Sequence, residues 1–448
     1  MRYSLPYISI LLIFNFLLLE SCSKNDDDNP KKLTSKNIEF VKTLGGSKNE
    51  SGQSVTKTTD GGYAILGFAQ SNDGDLENKT TDSFDYWVLK FDSSDNLQWQ
   101  KTYGGSDDDR GSSLIQTNDG GYAILGYSKS SDGDISENNG FEDFWVSKLD
   151  ALGNMIWKKS FGFSGADTGI SMIQTNDGGY LLSGVLDVSA SGGEGNSKSL
   201  FAKRHAGGDY WIIKMDSNGE KQWSKFFGGT FTDKPYDAIQ TPDNSYIIVG
   251  SSDSADFNIS SNIGSYDFWI IKISENGNLI WEKSFGGSEI DEARGIAASS
   301  DGNYIIVGDT RSNDFDVSKN NGAADLWVIK MSTEGNLLWE KSFGGSSFDV
   351  GRSIKNTPDN GFIISGSSRS ADGDISQNQG QNDAWVLKID ANGNLEWQKT
   401  IGGSGVDFAY DAVELNDGTV IGVGESNSNN LDVPENKGFS DLLILKLN

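Results

Sequence analysis

The sequence predicts an all-β fold, a seven-bladed β-propeller with four-stranded blades, and three observations lead to it. A Gly-Gly pair or its variant returns at intervals of about 58 residues, which is typical of a repeat architecture. Four short segments rich in β-branched and aromatic residues recur within each repeat. The last repeat lacks its fourth segment, and a matching segment precedes the first Gly-Gly pair. Four antiparallel strands repeated radially form a propeller.

The second repeat shows the four segments and the turns between them. Its first segment, 113–117, runs through an Asp-Gly-Gly turn into the second, 122–126. A long polar loop leads to the third segment, 143–150, and a Gly-Asn turn leads to the fourth, 155–159. Both turn types supply the positive φ angles of tight hairpins, so we expect consecutive segments to pair as antiparallel strands.

The tryptophans predict where the core lies. There are 12 of them, two in each of six repeats, and such regular placement indicates packing rather than sugar stacking. Because both faces of a blade pack on neighbours, we expect Trp145 and Leu149 to point one way and Phe144 and Val146 the other. The tryptophans are Trp87, Trp99, Trp145, Trp157, Trp211, Trp223, Trp269, Trp281, Trp327, Trp339, Trp385 and Trp397.

The two ends of the repeat region predict how the ring closes. Residues 37–44 match 96–103, with Phe40 in the place of Trp99. We therefore expect the N-terminal segment to form the outer strand of the last blade and to cover an otherwise open edge. The propeller domain is predicted to span 37–448.

Composition excludes several classes of function. The chain has 448 residues, with 64 acidic and 37 basic side chains and a formal net charge of −27, so nucleic acid is not an expected partner. One cysteine excludes a disulfide framework or a thiolate zinc cluster. One histidine excludes a multi-histidine metal site within a single chain.

The first residues predict an export signal. The apolar run 8–19 is too short to span a bilayer, which takes about 20 residues, and 1–21 is predicted to be a signal peptide. It ends in Leu19-Glu20-Ser21-Cys22, which resembles the lipobox of bacterial lipoproteins, although Glu20 departs from the usual residue. The resemblance implies cleavage before Cys22 and acylation of its sulfur, and such an anchor needs no spanning helix.

Residues 22–36 are predicted to be a lipidated acidic linker. The run Asp26-Asp27-Asp28 is typical of a solvated linker, and it also resembles the surface-export signal of Bacteroidetes-type lipoproteins. The resemblance implies an outer membrane lipoprotein, with display on the cell surface as the further expectation.

Strand alternation places the long loops and the Gly-Gly connections on one face, where acids accumulate. We expect an acidic rim there, to which the acids four residues after each Gly-Gly contribute. The acids have three alternative roles: closing turns, binding Ca²⁺ as the one cofactor considered, or recognising a basic partner. The candidate Ca²⁺ ligands are Asp73, Asp75, Asp132, Asp134, Asp314, Asp316, Asp372 and Asp374.

The third repeat breaks the pattern by about eight extra residues in its long loop. This glycine-rich, basic insertion is either a neutral change in a tolerant loop or a specific contact. A lone histidine without a nucleophile motif is not expected to be a catalytic base. The candidate binding residues of the loop are Lys198, Lys203, Arg204 and His205.

The repeat unit G-G-S-x-x-D, T-x-D-G-G-Y, D-x-W-V-x-K and G-N-L-x-W-x-K resembles the propeller repeats of bacterial cell-surface lipoproteins. It is similar in a looser way to SBBP-type propeller repeats. The resemblance covers 37–448 and implies an architecture rather than an activity, because propellers host enzymes and scaffolds alike.

The expected function is that of a lipid-anchored, non-enzymatic scaffold of the cell envelope, which binds a protein or glycan partner through its acidic loop face. The alternative is a carbohydrate-active enzyme that uses paired carboxylates near the central axis. Near-equivalent repeats speak against it, because a catalytic pair needs two acids in different environments. A purely structural envelope subunit is a third option.

Overall fold

A computed structural model describes Met1 and residues 36–76, 78–191 and 207–448. These residues form 28 strands in seven four-stranded antiparallel sheets. The prediction of a seven-bladed β-propeller with four-stranded blades is thereby confirmed. The predicted signal peptide and Cys22 lie outside the described residues, Met1 excepted, as does the linker up to residue 35.

Each blade places its strands in the order first to fourth from the central channel outward. The first strands are β2 (Glu50–Lys57), β6 (Asp109–Gln116), β10 (Thr168–Gln174), β14 (Asp233–Gln240), β18 (Asp291–Ala298), β22 (Asp349–Asn356) and β26 (Asp407–Glu414). The second strands are β3 (Tyr63–Ala69), β7 (Tyr122–Ser128), β11 (Tyr180–Leu186), β15 (Tyr246–Ser252), β19 (Tyr304–Thr310), β23 (Phe362–Ser368) and β27 (Val420–Ser426).

The outer half of each blade consists of a fully buried third strand and a partly exposed fourth strand. The third strands are β4 (Asp85–Phe91), β8 (Asp143–Leu149), β12 (Asp209–Met215), β16 (Asp267–Ile273), β20 (Asp325–Met331), β24 (Asp383–Ile389) and β28 (Asp441–Leu447). The fourth strands are β5 (Leu97–Tyr103), β9 (Met155–Phe161), β13 (Lys221–Phe227), β17 (Leu279–Phe285), β21 (Leu337–Phe343), β25 (Leu395–Ile401) and, in the seventh blade, β1 (Ile38–Leu44). A 3-10 turn (Gly74–Leu76) and a short helix α1 (Val188–Ser191) lie in two long loops.

The N-terminal strand closes the ring, as predicted. Strand β1 pairs antiparallel with β28 in the sheet order β1-β28-β27-β26. Phe40 lies opposite Lys446, as Trp99 lies opposite Lys90 in the first blade. Asn37 and Asn448 exchange backbone hydrogen bonds of 3.1 and 3.0 Å, so the pairing extends to the last residue.

The core lies between neighbouring blades. Trp145 and Leu149 pack towards the first blade, whereas Phe144 and Val146 pack towards the third, which confirms the predicted facing. The six tryptophans on third strands are fully buried. Those on fourth strands lie at the blade edges: a Cβ on Gly153 of the next blade's turn would come 2.9 Å from the Trp99 ring. Gly153 also has a φ of +75°, so both the backbone conformation and the lack of space beside Trp99 favour glycine at this position.

In six of the seven blades, a buried lysine of the third strand is neutralised by the aspartate in the turn between the first and second strands. In the seventh blade, Lys446 lies 2.7 Å from Asp95 of the first blade instead. Lys148, with 6% of its side chain exposed, lies 2.9 Å from the Asp119 carboxylate. Burial opposes the charge of Asp119, but hydrogen bonds from Thr117 and Lys148 outweigh it and lower its pKa to about 2. The equivalent pairs are Lys90–Asp60, Lys214–Asp177, Lys272–Asp243, Lys330–Asp301 and Lys388–Asp359.

We expect Asp119→Ala to lower the free energy of unfolding by about 1–3 kcal/mol, because it leaves the buried Lys148 ammonium without its counter-charge. Asp119→Asn keeps an acceptor for the Gly121 N–H and should cost less. Urea unfolding of both variants measures the difference. Equal losses for the two variants would show that the charge of Asp119 contributes nothing.

Candidate functional site

The acids of the long loops accept hydrogen bonds from backbone N–H groups of the Gly-Gly connections. We call the face that carries both kinds of loop the long-loop face, and the opposite one the turn face. In the second blade, Asp132 accepts a 2.8 Å hydrogen bond from the Ser106 N–H, and Asp134 accepts one of 3.3 Å from the Gly104 N–H. The candidate ligands of the first, fifth and sixth blades do the same: Asp73, Asp75, Asp314, Asp316, Asp372 and Asp374.

These contacts favour the turn-closing role among the three alternatives. Asp73, Asp132, Asp314 and Asp372 are exposed, so they also contribute negative charge to the surface. No group of three or more His, Cys, Asp or Glu side chains suited to a metal ion occurs among the described residues. Ca²⁺ binding by these loops stays a prediction.

The acids four residues after each Gly-Gly are not part of a rim, and that expectation is wrong. They are fully buried at the start of the first strands, where the carboxylate accepts the N–H of the second residue of the Gly-Gly pair, as in Asp109 with Gly105 at 2.7 Å. A buried backbone N–H needs such an acceptor. The seven acids are Glu50, Asp109, Asp167, Asp233, Asp291, Asp349 and Asp407.

A second buried acid lies beside each of these, at the start of the preceding blade's third strand. Asp267 and Asp291 both approach Gly286, where a Cβ would lie 2.6 and 2.7 Å from their oxygens. Burial and the neighbouring Asp291 raise the pKa of Asp267 to about 6. One Asp267 oxygen accepts the Ile263 N–H, and the other has no hydrogen-bond partner. Seven such carboxyl pairs surround the channel, one at every blade boundary.

Large apolar side chains project from the long-loop face, which the sequence pattern did not emphasise. We call them the apolar knobs. They are between 39% and 73% exposed and belong to five different blades or their connections. The knobs are Phe141, Phe231, Phe257, Phe315, Phe348, Leu431 and Phe439.

Three of the knobs occupy a backbone conformation that disfavours them. Phe257, Phe315 and Leu431 have φ angles of 51°, 53° and 60°, at the position where three other blades have glycine. A side chain in this left-handed region costs roughly 1–2 kcal/mol. The loops with glycine are Gly74, Gly133 and Gly373, with φ angles of 62°, 64° and 66°.

A backbone hydrogen bond next to this position is longer in the three loops that carry a side chain there. In each of the six loops, the N–H of the residue that follows the positive-φ position donates to the carbonyl of the first glycine of the Gly-Gly pair, as Asp134 does to Gly104. That bond is 2.9–3.0 Å in the three glycine loops and 3.2–3.3 Å in the loops of Phe257, Phe315 and Leu431. A Cβ at Gly133 would lie 2.5 Å from the Gly104 carbonyl, which explains why the bond lengthens when a side chain is present.

The central channel contains a second departure from seven-fold repetition. Every first strand shifts register around one residue, which is the third of β10 and the fourth of the other six, and this residue forms a β-bulge without a pairing partner. Bulges redirect side chains, and here all seven line the channel. We call these residues the bulge ring. It consists of Gln53, Ser112, Ile170, Tyr236, Arg294, Arg352 and Tyr410.

The bulge ring surrounds a cavity of about 290 Å³ that we call the upper chamber. Because first strands start at the long-loop face, the chamber lies on that side of the channel. A lower chamber of about 470 Å³ follows towards the turn face. Ser54, Ser113, Ser171, Asp237 and Lys355 line both chambers and form the waist between them.

Asp237 at the waist and Asp411 in the upper chamber link neighbouring blades by hydrogen bonds. Asp237 accepts hydrogen bonds from the Ser171 hydroxyl and the Ile296 N–H, both 3.1 Å. Asp411 accepts the Val55 N–H at 3.0 Å. Lys355 lies 4.0 Å from Asp411, whose charge raises the pKa of the lysine. These carboxylates lie near the axis, where the enzyme alternative requires them, and that alternative stays a prediction.

The basic loop residues Lys198, Lys203, Arg204 and His205 lie outside the described residues, which resume at Gly207. Sequence reasoning placed the asymmetry of the molecule in that loop and missed the bulge ring. One signal was present: the bulge position reads Gln, Ser and Ile in the first three blades and then Tyr-Arg-Arg-Tyr in the next four. Period-two alternation gives no warning of a bulge, so this position could not be assigned to the channel.

Comparison with known proteins yields distant similarities. No family model matches the chain. Regulatory protein FlaEY of Caulobacter vibrioides is 24% identical over 220 residues, which are 46% of this chain and 21% of that protein. The chain thus spans about a fifth of that relative's length.

Among solved structures, the Pan2 WD40 domain of Neurospora crassa has a TM-score of 0.48 at 9% identity, with 91% of this chain and 96% of that chain covered. Sqt1 of Chaetomium thermophilum has a TM-score of 0.47 at 12% identity, with 92% and 99% covered. The quinohemoprotein alcohol dehydrogenase ADHIIG of Pseudomonas putida HK5 has a TM-score of 0.44 at 10% identity, with 92% and 76% covered. In the described part of this chain, no helix has the length and apolar character needed to cross a membrane.

Proposed function

We propose that the protein is a non-enzymatic binding scaffold of the cell envelope, which binds a protein partner through its long-loop face. The observation that carries the proposal is the set of three bulky residues at positive φ. Phe257, Phe315 and Leu431 sit where glycine would be less strained, and Phe315 and Leu431 are 73% and 66% exposed. Residues strained in this way cluster at functional sites.

The chemistry around the knobs defines the partner. Phe315 stands between Asp314 and Asp316, and Phe257 follows Asp256. Apolar side chains surrounded by carboxylates fit a partner with apolar pockets and a basic rim, and aromatic anchors of this kind dominate interface energies. The net charge of −27 would favour the approach of such a partner, most strongly at low salt.

The test replaces the strained knobs by the residue that the other blades use. We expect Phe315→Gly combined with Leu431→Gly to keep or raise the melting temperature and to reduce partner recovery about tenfold, because the variant loses anchors and gains backbone freedom. The tagged protein is captured from detergent-solubilised membranes, and copurifying proteins are quantified after low-salt and high-salt washes.

Leu338 supplies the matched control, since it is 50% exposed at the edge of a fourth strand. Leu338→Ser should leave partner recovery unchanged. Equal recovery with the wild-type protein and the double glycine variant, or an equal loss with Leu338→Ser, would overturn the proposal.

The proposed anchor is the acylated sulfur of Cys22, which would hold the propeller at the outer membrane. Support comes from the sequence Leu19-Glu20-Ser21-Cys22 and from the absence of any other cysteine. We expect Cys22→Ser to move the protein from the membrane fraction to the soluble fraction and to abolish labelling with palmitate. Unchanged fractionation of the variant would contradict the anchor without affecting the partner-binding test.

A further inference from the structure

One side of the upper chamber concentrates positive charge in a strongly acidic protein. Arg294 and Arg352 belong to the bulge ring, and Lys234 lies two residues before Tyr236 on strand β14. All three line the chamber, and Tyr236 and Tyr410 flank them. The arrangement occurs once, because the corresponding residues of the first three blades are Gln53, Ser112 and Ile170.

Only one of these three cations is neutralised by the protein. The Arg294 guanidinium donates a 2.6 Å hydrogen bond to Glu292, lies 3.8 Å from Asp309 and covers the Tyr236 ring at 4.1 Å. Neither Lys234 nor Arg352 has a carboxylate oxygen within 4.0 Å among the described residues, and the buried Nε of Arg352 has no hydrogen-bond partner. Burial and the charge of Arg294 lower the pKa of both groups.

An unpaired cation that is partly removed from water costs free energy, and a bound anion recovers it. Guanidinium groups favour carboxylates because their N–H groups match the two oxygens of that anion. Lys234, Arg294 and Arg352 stand against Glu292 and Asp309, so these five groups carry a surplus of one positive charge. Asp237, Asp411 and Lys355 also line the chamber and add no further positive charge. A small surplus suits a monoanion better than phosphate, which carries about −1.5 charges or more near neutral pH.

The opposite side of the chamber offers hydroxyl and amide groups. Gln53, Ser54, Ser112, Ser113 and Ser171 line it, and their side-chain oxygens can accept hydrogen bonds from sugar-type hydroxyls. A cavity of about 290 Å³ accommodates a molecule of roughly monosaccharide size. The two sides together therefore suit one ligand that carries a carboxylate at one end and hydroxyls at the other.

We propose that the upper chamber binds a carboxylated, polyhydroxylated small molecule of the uronic acid type, with its carboxylate between Arg352 and Lys234. This site is separate from the apolar knobs and does not depend on the partner proposed above.

Titration calorimetry at low ionic strength tests the site with four probes: sodium glucuronate, glucose, acetate and inorganic phosphate. We expect glucuronate to bind most tightly, acetate more weakly, and glucose not measurably. Arg352→Gln should weaken glucuronate at least about tenfold, as expected for a lost charge-assisted contact. Its melting temperature should stay equal or rise, because an unpaired cation has been removed, whereas a structural role for Arg352 would lower it.

Arg110→Gln is the matched control. Arg110 is also on a first strand with a buried unpartnered Nε, but its guanidinium lies 3.9 Å from the Phe84 ring and outside the chamber lining. The Arg110→Gln variant should bind glucuronate as tightly as the wild-type protein does. Absence of glucuronate binding, tighter binding of phosphate than of glucuronate, or equal binding by Arg352→Gln would each overturn the proposal.

Discussion

A chain that begins after Leu44 should fail to form a stable propeller. The missing strand β1 is the fourth strand of the seventh blade, and its loss exposes the full length of β28, whose seven residues are all buried. Phe40 and Leu44 pack against one core cluster, and Ile38 and Val41 against another. We expect aggregation on expression, or a melting temperature lower by about 10 °C or more, because an open, apolar sheet edge is both unstable and adhesive.

The control is a chain that begins at Lys36. It retains the strand and both backbone hydrogen bonds between Asn37 and Asn448, and it should unfold at the wild-type temperature. A synthetic peptide of residues 36–44 added to the shorter chain should restore part of the lost stability. If the chain that begins after Leu44 keeps its full melting temperature, ring closure by β1 does not stabilise the fold.

The closure could be predicted because every blade must satisfy the same packing requirements. Phe40 fills the site that Trp99 fills in the first blade, and both lie opposite a buried lysine of a third strand. The turn glycines were equally informative, since Gly153 needs both a positive φ and the space beneath a tryptophan ring. Such local requirements recur from repeat to repeat, and at this turn the sequence meets them with glycine in five blades.

The candidate sites were harder to predict, because they depend on what one copy of a repeat does differently. Phe315 stands where Gly133 stands, and the sequence displays that exchange without showing its φ angle or exposure. Arg352 lines the channel only because a bulge turns it inward. The prediction that Asp109 and its equivalents lie on a rim was wrong because these acids recur for a structural reason. They are buried, and they accept hydrogen bonds from the Gly-Gly loops.

The seven carboxyl pairs give the protein an unusual dependence of stability on pH. In each pair, burial and the partner's charge raise the pKa of one acid to about 6, or to about 7 for Asp233. Because these acids bind protons more tightly in the folded state than in the unfolded chain, where their pKa is 3.8, their contribution is complete below pH 3.8 and is lost as the pH rises through 6 to 7.

The turn acids act in the opposite direction at lower pH. Asp60, Asp119, Asp177 and Asp359 have pKa values lowered to about 2, so their stabilisation is complete above the unfolded value of 3.8 and is lost as the pH falls towards 2. The two sets together predict a stability maximum close to the unfolded pKa of 3.8.

We therefore expect the melting temperature to rise by about 5 °C or more when the pH falls from about 8 to about 5. Asp267→Asn isolates one pair: the amide oxygen still accepts the Ile263 N–H, but the charge beside Asp291 is gone. This variant should melt higher than the wild-type protein at the alkaline end and equally at the acidic end. A wild-type melting temperature that is flat or rises with pH over this range would show that the pairs do not titrate as the buried geometry requires.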